Sequence, residues 1–452
     1  MPLRRYFGTD GVRGLANGDV LTPEFALQLG RAAAAHFAAG GEKPLLVVGR
    51  DTRRSCDMLE SALVSGILSA GGDVVRVGVL PTPGVARLTV ELGAVAGAMI
   101  SASHNPFQDN GIKFFDRAGY KLDDAAEEKL ESFLDDPKRM ARATAADVGR
   151  EREPVDAERR YLDFLRETVP PATDFASLRL VLDCANGAAS SVGPALFRAL
   201  GASVDVLNDK PDGTNVMAGC GCLHPDVCRE AAKATGAIGL SYDGDADRVL
   251  LVDETGAMVD GDQVLLMCAR DLAARGRLAA HTVVGTVMSN FGLEAALSAE
   301  GIRLARAAVG DRYVLEEMQR TGASLGGEPS GHVLFRDHAT TGDGLLTSLQ
   351  VLRICVERGE PLSKLAGGLA RFPQVLLNVR VKEKPEFRSI PELSGALDTA
   401  ERRLAGSGRV LVRYSGTEPL ARVMVEGKEE NAVRETAEAL AHAIRDKIGT
   451  KD

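Results

Sequence analysis

Three times along this chain an apolar strand runs into a polar turn, a helix, and a second strand entered through glycine. Residues 45–48 lead to a turn at 49–53, a helix over 57–70 and a strand over 73–79. Residues 178–182, 183–188, 192–200 and 203–207 follow the same order, and residues 282–287, 288–290, 292–300 and 302–305 follow it again. Strand and helix alternating at this spacing build sheets with parallel strands covered by helices. The repeat predicts three related α/β domains, over 1–150, 151–258 and 259–370. Residues 135–160 are charged and weakly apolar, as suits a linker or connecting helix. After Arg371-Phe-Pro373 the rhythm changes to an alternating strand (375–382) and helices over 392–404 and 430–448. That pattern predicts a smaller α+β domain over 371–452. Near the start, Thr22 and Pro23 read as N-cap and first residue of a helix running to Ala39.

Composition narrows the class. Over 452 residues, 45% hydrophobic and 26% charged residues describe an ordinary globular chain. The net charge of -9 argues against a nucleic-acid partner, which needs a basic face. No apolar run reaches the roughly 18 residues of a membrane span, and no apolar signal core follows Met1-Pro-Leu-Arg-Arg5. No membrane partner and a cytoplasmic location are therefore expected. Seven cysteines in that setting read as reduced thiols. Cys220-x-Cys222-x-His224-x₃-Cys228 lacks the usual zinc spacing and a second pair, so structural thiols are expected there. The sequence leaves oligomeric state open and is compatible with a homodimer.

The polar loops carry the chemistry. A buried strand at 96–100 stops at Ser101-Ala-Ser-His-Asn-Pro106, where Asn105-Pro106 forces a turn. Residues 109–111 read as a second turn before an apolar run at 112–115. Ser103 then sits near the loop tip beside His104, with Lys113 on the returning strand. Such a hydroxyl is suited to act as a nucleophile or to carry a phosphoryl group; a solvated turn is the local alternative. Ser241-Tyr-Asp-Gly-Asp-Ala-Asp-Arg248 sets Asp243, Asp245 and Asp247 at alternate positions. Three converging carboxylates repel unless a cation sits among them, and oxygen-only ligands favour Mg²⁺ or Ca²⁺ over Zn²⁺. An EF-hand is excluded by Arg248 at the place of its glycine. An acidic solvated turn is the bland reading.

Three further loops have ligand-binding composition. Phe7-Gly-Thr-Asp-Gly-Val-Arg-Gly14 packs three glycines around Arg13, which allows close backbone approach to a phosphate or hydroxyl. Gly326-Gly-Glu-Pro-Ser-Gly-His332 offers Glu328, Ser330 and His332 to sugar hydroxyls. Arg413-Tyr-Ser-Gly-Thr-Glu-Pro419 offers Ser415, Gly416 and Thr417 as donors, with Arg413 and Arg422 adding charge suited to a phosphate.

These five motifs, in this order, resemble the α-D-phosphohexomutase superfamily over essentially the whole chain. The resemblance implies four domains around a central cleft, each giving one loop, and a hexosamine phosphate as small-molecule substrate. It implies that Ser103 is a phosphoserine, the phosphoryl donor, and that it holds one Mg²⁺ together with Asp243, Asp245 and Asp247. Glu328 and Ser330 would hold sugar hydroxyls. Arg413, Ser415, Gly416, Thr417 and Arg422 would hold the substrate's own phosphate. Arg13, His104, Lys113, Arg248 and His332 would line the reacting centre, with Lys113 or His332 moving the proton. Val309-Gly-Asp-Arg-Tyr-Val314 and Thr340-Thr-Gly-Asp-Gly344 resemble the branch acting on glucosamine phosphates, which feeds cell-wall precursor synthesis. Branches acting on glucose and mannose phosphates, and phosphatases using similar chemistry, are the alternatives. Ala246 stands where many members have glycine, and Cys222-Leu223 where relatives have Ser and Thr.

Overall fold

A computed structural model describes residues 5–8, 10–38, 43–415 and 419–450. It contains two compact units, Met1–Thr286 with Ala305–Ala366, and Val287–Leu304 with Gly367–Asp452. The first sheet contains β1 (Val12–Leu15), β2 (Leu45–Arg50), β3 (Asp73–Val79), β4 (Ala96–Ile100) and β5 (Asp109–Asp116), in the order β1-β5-β4-β2-β3. Strand β2 runs parallel to β3 and β4, and β5 returns antiparallel to β4. The second contains β6 (Arg179–Asp183), β7 (Ser203–Leu207), β8 (Ile238–Tyr242), β9 (Val249–Val252) and β10 (Met258–Val259), ordered β10-β9-β8-β6-β7. The third contains β11 (Thr282–Thr286), β12 (Arg303–Ala307), β13 (Leu325–Gly327) and β14 (Val333–Phe335), ordered β12-β11-β13-β14.

One series is common to all three: β5-β4-β2-β3, β9-β8-β6-β7 and β14-β13-β11-β12. The repeat in the sequence is a repeat of topology. Its punctuation is physical, because Gly71, Gly201 and Gly301 follow the crossover helices at φ +91°, +93° and +72°. Residues with a Cβ avoid that left-handed region, so glycine is the natural choice where the chain turns back to the sheet. The topology also fixes where loops emerge. The turns after β4, β8 and β13 are equivalent, each joining a strand parallel to its neighbour (β2, β6 or β11) to an antiparallel return. Ligands of open α/β sheets gather beyond the carboxyl ends of such strands.

The last sheet is smaller and wholly antiparallel, with β15 (Gln374–Arg380), β16 (Gly408–Tyr414) and β17 (Leu420–Gly427) in the order β15-β17-β16. Helices Pro391–Leu404 and Glu430–Ile448 close its core around Val379, Leu397, Val423, Leu440 and Ile444. In the first unit, Thr22 caps helix Pro23–Phe37 by accepting from the Phe25 N–H at 3.2 Å. No helix among the described residues is long and apolar enough to cross a membrane.

Two local expectations are corrected. Residues 109–111 are the start of β5, not a second turn, and pair with β1 through Asp109 opposite Leu15. The Asn110 carboxamide is buried and donates to Ser55 Oγ at 2.8 Å, so its polar group serves the fold rather than a turn. The glycine-dense stretch before Gly14 includes an edge strand, β1, which its composition concealed.

Candidate active site

The loop after β4 presents Ser103 with only 1% of its surface exposed and φ +51°, a conformation uncommon for a residue bearing a Cβ. This is no solvated turn. Its Oγ donates to Asp243 Oδ2 at 2.6 Å and lies 3.3 Å from His104 Nδ1. Asp243 follows β8 directly, so two equivalent loops of two sheets meet at this hydroxyl.

Asp243 and Asp245 are fully buried and Asp247 nearly so, with one carboxylate oxygen of each within 4.8 Å of the others. The acidic loop is therefore not a solvated turn either. Burial, then Asp247 and Asp245, push the Asp243 carboxyl well above the usual range. Burial also works against ionised Asp247, but His332, Lys113 and Arg248 outweigh it and hold that carboxyl well below the usual range. Asp245 Oδ1 and Asp247 Oδ1 are buried without a hydrogen-bond partner among the described residues. Orphaned anionic oxygens at such spacing fit a hard divalent cation such as Mg²⁺.

Cations ring the triad. Lys113 Nζ donates to Asp245 Oδ2 at 2.7 Å, and Arg248 Nε lies 3.8 Å from Asp247 Oδ1. Arg13 bonds Asp10, which also pairs with Lys121, and Lys121 in turn pairs with Asp311. His332 Nδ1 is 3.7 Å from Asp247 Oδ2. Its Nε2 accepts the Gly342 N–H at 3.1 Å, which places a neutral ring's proton on Nδ1, facing the triad. Burial lowers the His104 pKa, with Arg248 and Arg13 adding to the shift, so the neutral imidazole is favoured there.

The turn between β13 and β14 carries Glu328 and Ser330. Ser330 Oγ donates to Glu328 Oε2 at 3.2 Å, and Glu328 Oε1 accepts the Gly310 N–H at 2.9 Å. In the second unit, Arg413 on β16 stands directly opposite Arg422 on β17. Like charges at facing positions disfavour the pairing, and an anion between them would offset that. Lys384 donates to the Ser415 carbonyl at 2.6 Å, and Gly416 and Thr417 lie outside the described residues.

Sequence reasoning missed three residues here. Asp51 and Arg53 were legible only as a polar turn, yet both are fully buried beneath the Ser103 loop. Thr82, also buried, donates its hydroxyl to Asp245 Oδ2 at 2.5 Å. Opposite charges two positions apart, directly after an apolar strand, were the one available signal for the first pair.

Family models match the whole architecture in chain order. The phosphoglucomutase/phosphomannomutase alpha/beta/alpha domains I, II and III match residues 4–139, 159–256 and 260–372, and the C-terminal domain of that family matches 376–443. The chain belongs to the phosphoglucomutase/phosphomannomutase family and is an isomerase of the phosphohexomutase type. Among its relatives, the phosphoglucosamine mutase of Geobacter sp. (strain M21) is 50% identical over 450 residues, covering 99% of each chain. That of Pelotomaculum thermopropionicum is 52% identical over 442 residues, covering 97% of this chain and 99% of its own. A phosphoglucomutase/phosphomannomutase family protein from Burkholderia thailandensis superposes with a TM-score of 0.81 at 25% identity over 97% of both chains. An Aspergillus fumigatus N-acetylphosphoglucosamine mutase, solved with GlcNAc-6P and magnesium, has the same fold, with a TM-score of 0.67 at 17% identity over 99% of this chain and 96% of its own.

Proposed function

We propose that this protein interconverts glucosamine 6-phosphate and glucosamine 1-phosphate, with Ser103 carrying the phosphoryl group. The observation that carries the reading is the buried Ser103 hydroxyl, 2.6 Å from Asp243 inside a three-carboxylate cluster. The phosphoryl group of phosphorylated Ser103 passes to the free hydroxyl of the sugar phosphate; the Ser103 O–P bond breaks as the sugar O–P bond forms. Ser103 Oγ gains the proton that the sugar hydroxyl loses, and Lys113 or His332 passes it by giving its own proton to Oγ before taking the hydroxyl's. The resulting bisphosphate turns over, and its other phosphoryl group returns to Ser103 Oγ. Asp243, Asp245 and Asp247 hold the Mg²⁺, which when bound supplies charge against the phosphoryl oxygens. Arg13, His104 and Arg248 line the reacting centre, where the two arginines offset the negative charge of the phosphoryl oxygens and the neutral His104 stands beside Ser103 Oγ. Glu328 and Ser330 take sugar hydroxyls. Arg413, Ser415, Gly416, Thr417 and Arg422 take the substrate's own phosphate, on a domain beginning near residue 371. The other domains divide near residues 150 and 258, in keeping with the family matches.

The glucosamine assignment is supported by relatives at half identity over the full length. An acidic chain with buried thiols favours a cytoplasmic setting without nucleic-acid or membrane partners. The test is kcat/KM for the 6-phosphates of glucosamine, glucose and mannose, the ratio that measures discrimination. Glucosamine 6-phosphate should lead clearly, and Ser103→Ala should fold yet lose nearly all turnover. A preference for glucose or mannose would overturn the substrate; an active Ser103→Ala would overturn the chemistry.

A further inference from the structure

The loop that carries Ser103 is gripped from beneath by a side chain that the chemistry above does not use. Arg53 lies three residues past β2 and is fully buried. Its Nη2 donates to the carbonyls of Ser103 at 2.8 Å and Asn105 at 2.7 Å; its Nη1 donates to those of Pro106 and, at 3.0 Å, Asp109. Four carbonyls of one loop converge on one guanidinium. Its Nε donates to Asp51 Oδ2 at 2.8 Å, and the same carboxylate oxygen accepts the Ser101 hydroxyl at 2.6 Å. That hydroxyl accepts the Ser103 N–H at 2.9 Å. The Asp51–Arg53 pair thus fixes the Ser103 backbone from both sides, through its carbonyl and through its N–H.

We propose that Arg53 is a positioning residue for phosphoryl transfer. Paired with Asp51, it holds Ser103 at φ +51°, so that Oγ is presented to Asp243 in both halves of the reaction. The inference rests on Ser103 being the phosphoryl carrier. A lysine offers a compact ammonium without the planar fork, and cannot reproduce five donors aimed at fixed points. Buried carbonyls must be satisfied, so without the fork the loop relaxes toward other partners.

The test compares Arg53→Ala, Arg53→Lys and Ser101→Ala in the full-length, metal-loaded enzyme. Displacing a nucleophile by about 1 Å costs on the order of 10²-fold in rate, and that fall in kcat is expected for Arg53→Ala with KM changed less than about threefold. Guanidinium ion at non-denaturing concentration should restore kcat in Arg53→Ala, and should do nothing for Arg53→Lys or the wild type. Ser101→Ala strands the buried Ser103 N–H but no charge, so it should stay folded with a modestly lower melting temperature while kcat falls roughly tenfold. If Arg53→Ala does not fold, the Ser101→Ala kcat decides. A phosphorylated, active wild type beside an undiminished Arg53→Ala or Ser101→Ala overturns this inference alone. A wild type whose intact mass never shows phosphate on the Ser103 peptide overturns the function, and this inference with it.

Discussion

Lys113 Nζ lies 2.7 Å from Asp245 Oδ2, the ammonium reaching from β5 of the first sheet into the loop after β8 of the second. It is a buried cation against two buried carboxylates and the half-buried Asp10, 4.0 Å from Asp247 and 3.9 Å from Asp10. Burial disfavours its charge, but Asp10 and Asp245 outweigh that and raise its pKa. The lysine therefore supplies part of the positive charge that the triad requires.

Removing it should expose that requirement. Lys113→Met should destabilise the metal-free protein by about 3–5 kcal/mol, the usual cost of leaving one member of a buried ion pair uncompensated. Mg²⁺ should then raise the melting temperature more in the variant than in the wild type. Equal Mg²⁺ shifts in the two proteins would show that Lys113 and the cation do not share the task.

Chelation should stop turnover and Mg²⁺ should restore it, with Asp245→Asn resembling the chelated enzyme even in excess Mg²⁺. The binding should also appear without any assay of activity, as a Mg²⁺-dependent rise in melting temperature that Asp245→Asn loses.

Gly342 should tolerate no side chain. A Cβ there would fall 2.4 Å from Cε1 and Nε2 of His332. Gly342→Ala must push the ring off its hydrogen bond at a cost of about 1–3 kcal/mol in stability. Steady-state kinetics should show kcat falling more than tenfold with the protein still folded. Wild-type kcat in a folded Gly342→Ala would mean that the ring orientation is dispensable.

Asp343 sets a pH dependence. It caps helix Gly344–Arg358 through the Leu346 N–H and accepts the Tyr161 hydroxyl at 2.8 Å. Complete burial outweighs these bonds and pushes its carboxyl up to about 6. The unfolded chain ionises this group near pH 4, so the stabilisation is complete below about pH 4 and is lost as pH rises through about 6. Asn can cap and bond the tyrosine without ionising. Between about pH 4 and 7, denaturant titrations should show wild type losing about 3 kcal/mol relative to Asp343→Asn. A constant difference across that window would remove Asp343 as the source.

The sequence was most legible where information is local. Strands β3 and β4 have the limits their apolar runs imply, helped by Gly72 just before β3 and Ser101 just after β4. Ser103, the acidic triad and the Glu328 turn all stand on the loops where the motifs put them. What stayed hidden is non-local. Thr82 lies 163 residues from Asp245 and Arg53 lies 50 from Ser103, and nothing in a neighbouring pattern encodes such pairings. Strand β1 hid for another reason: it is short, holds a glycine and gains its partners only by docking on β5.

The seven cysteines, all free and all buried, have a practical consequence for anyone wishing to watch this enzyme work. Burial pushes the Cys220 thiol up to about 11 and those of Cys228, Cys268 and Cys355 up to about 12; Cys56, Cys184 and Cys222 are raised too. Thiols so shielded and so weakly ionised react slowly with maleimides at neutral pH. The wild-type chain is thus already a silent background for fluorophores or spin labels. One cysteine at exposed Val148 and another at exposed Leu376 would tag each of the two compact units, with every native thiol left in place.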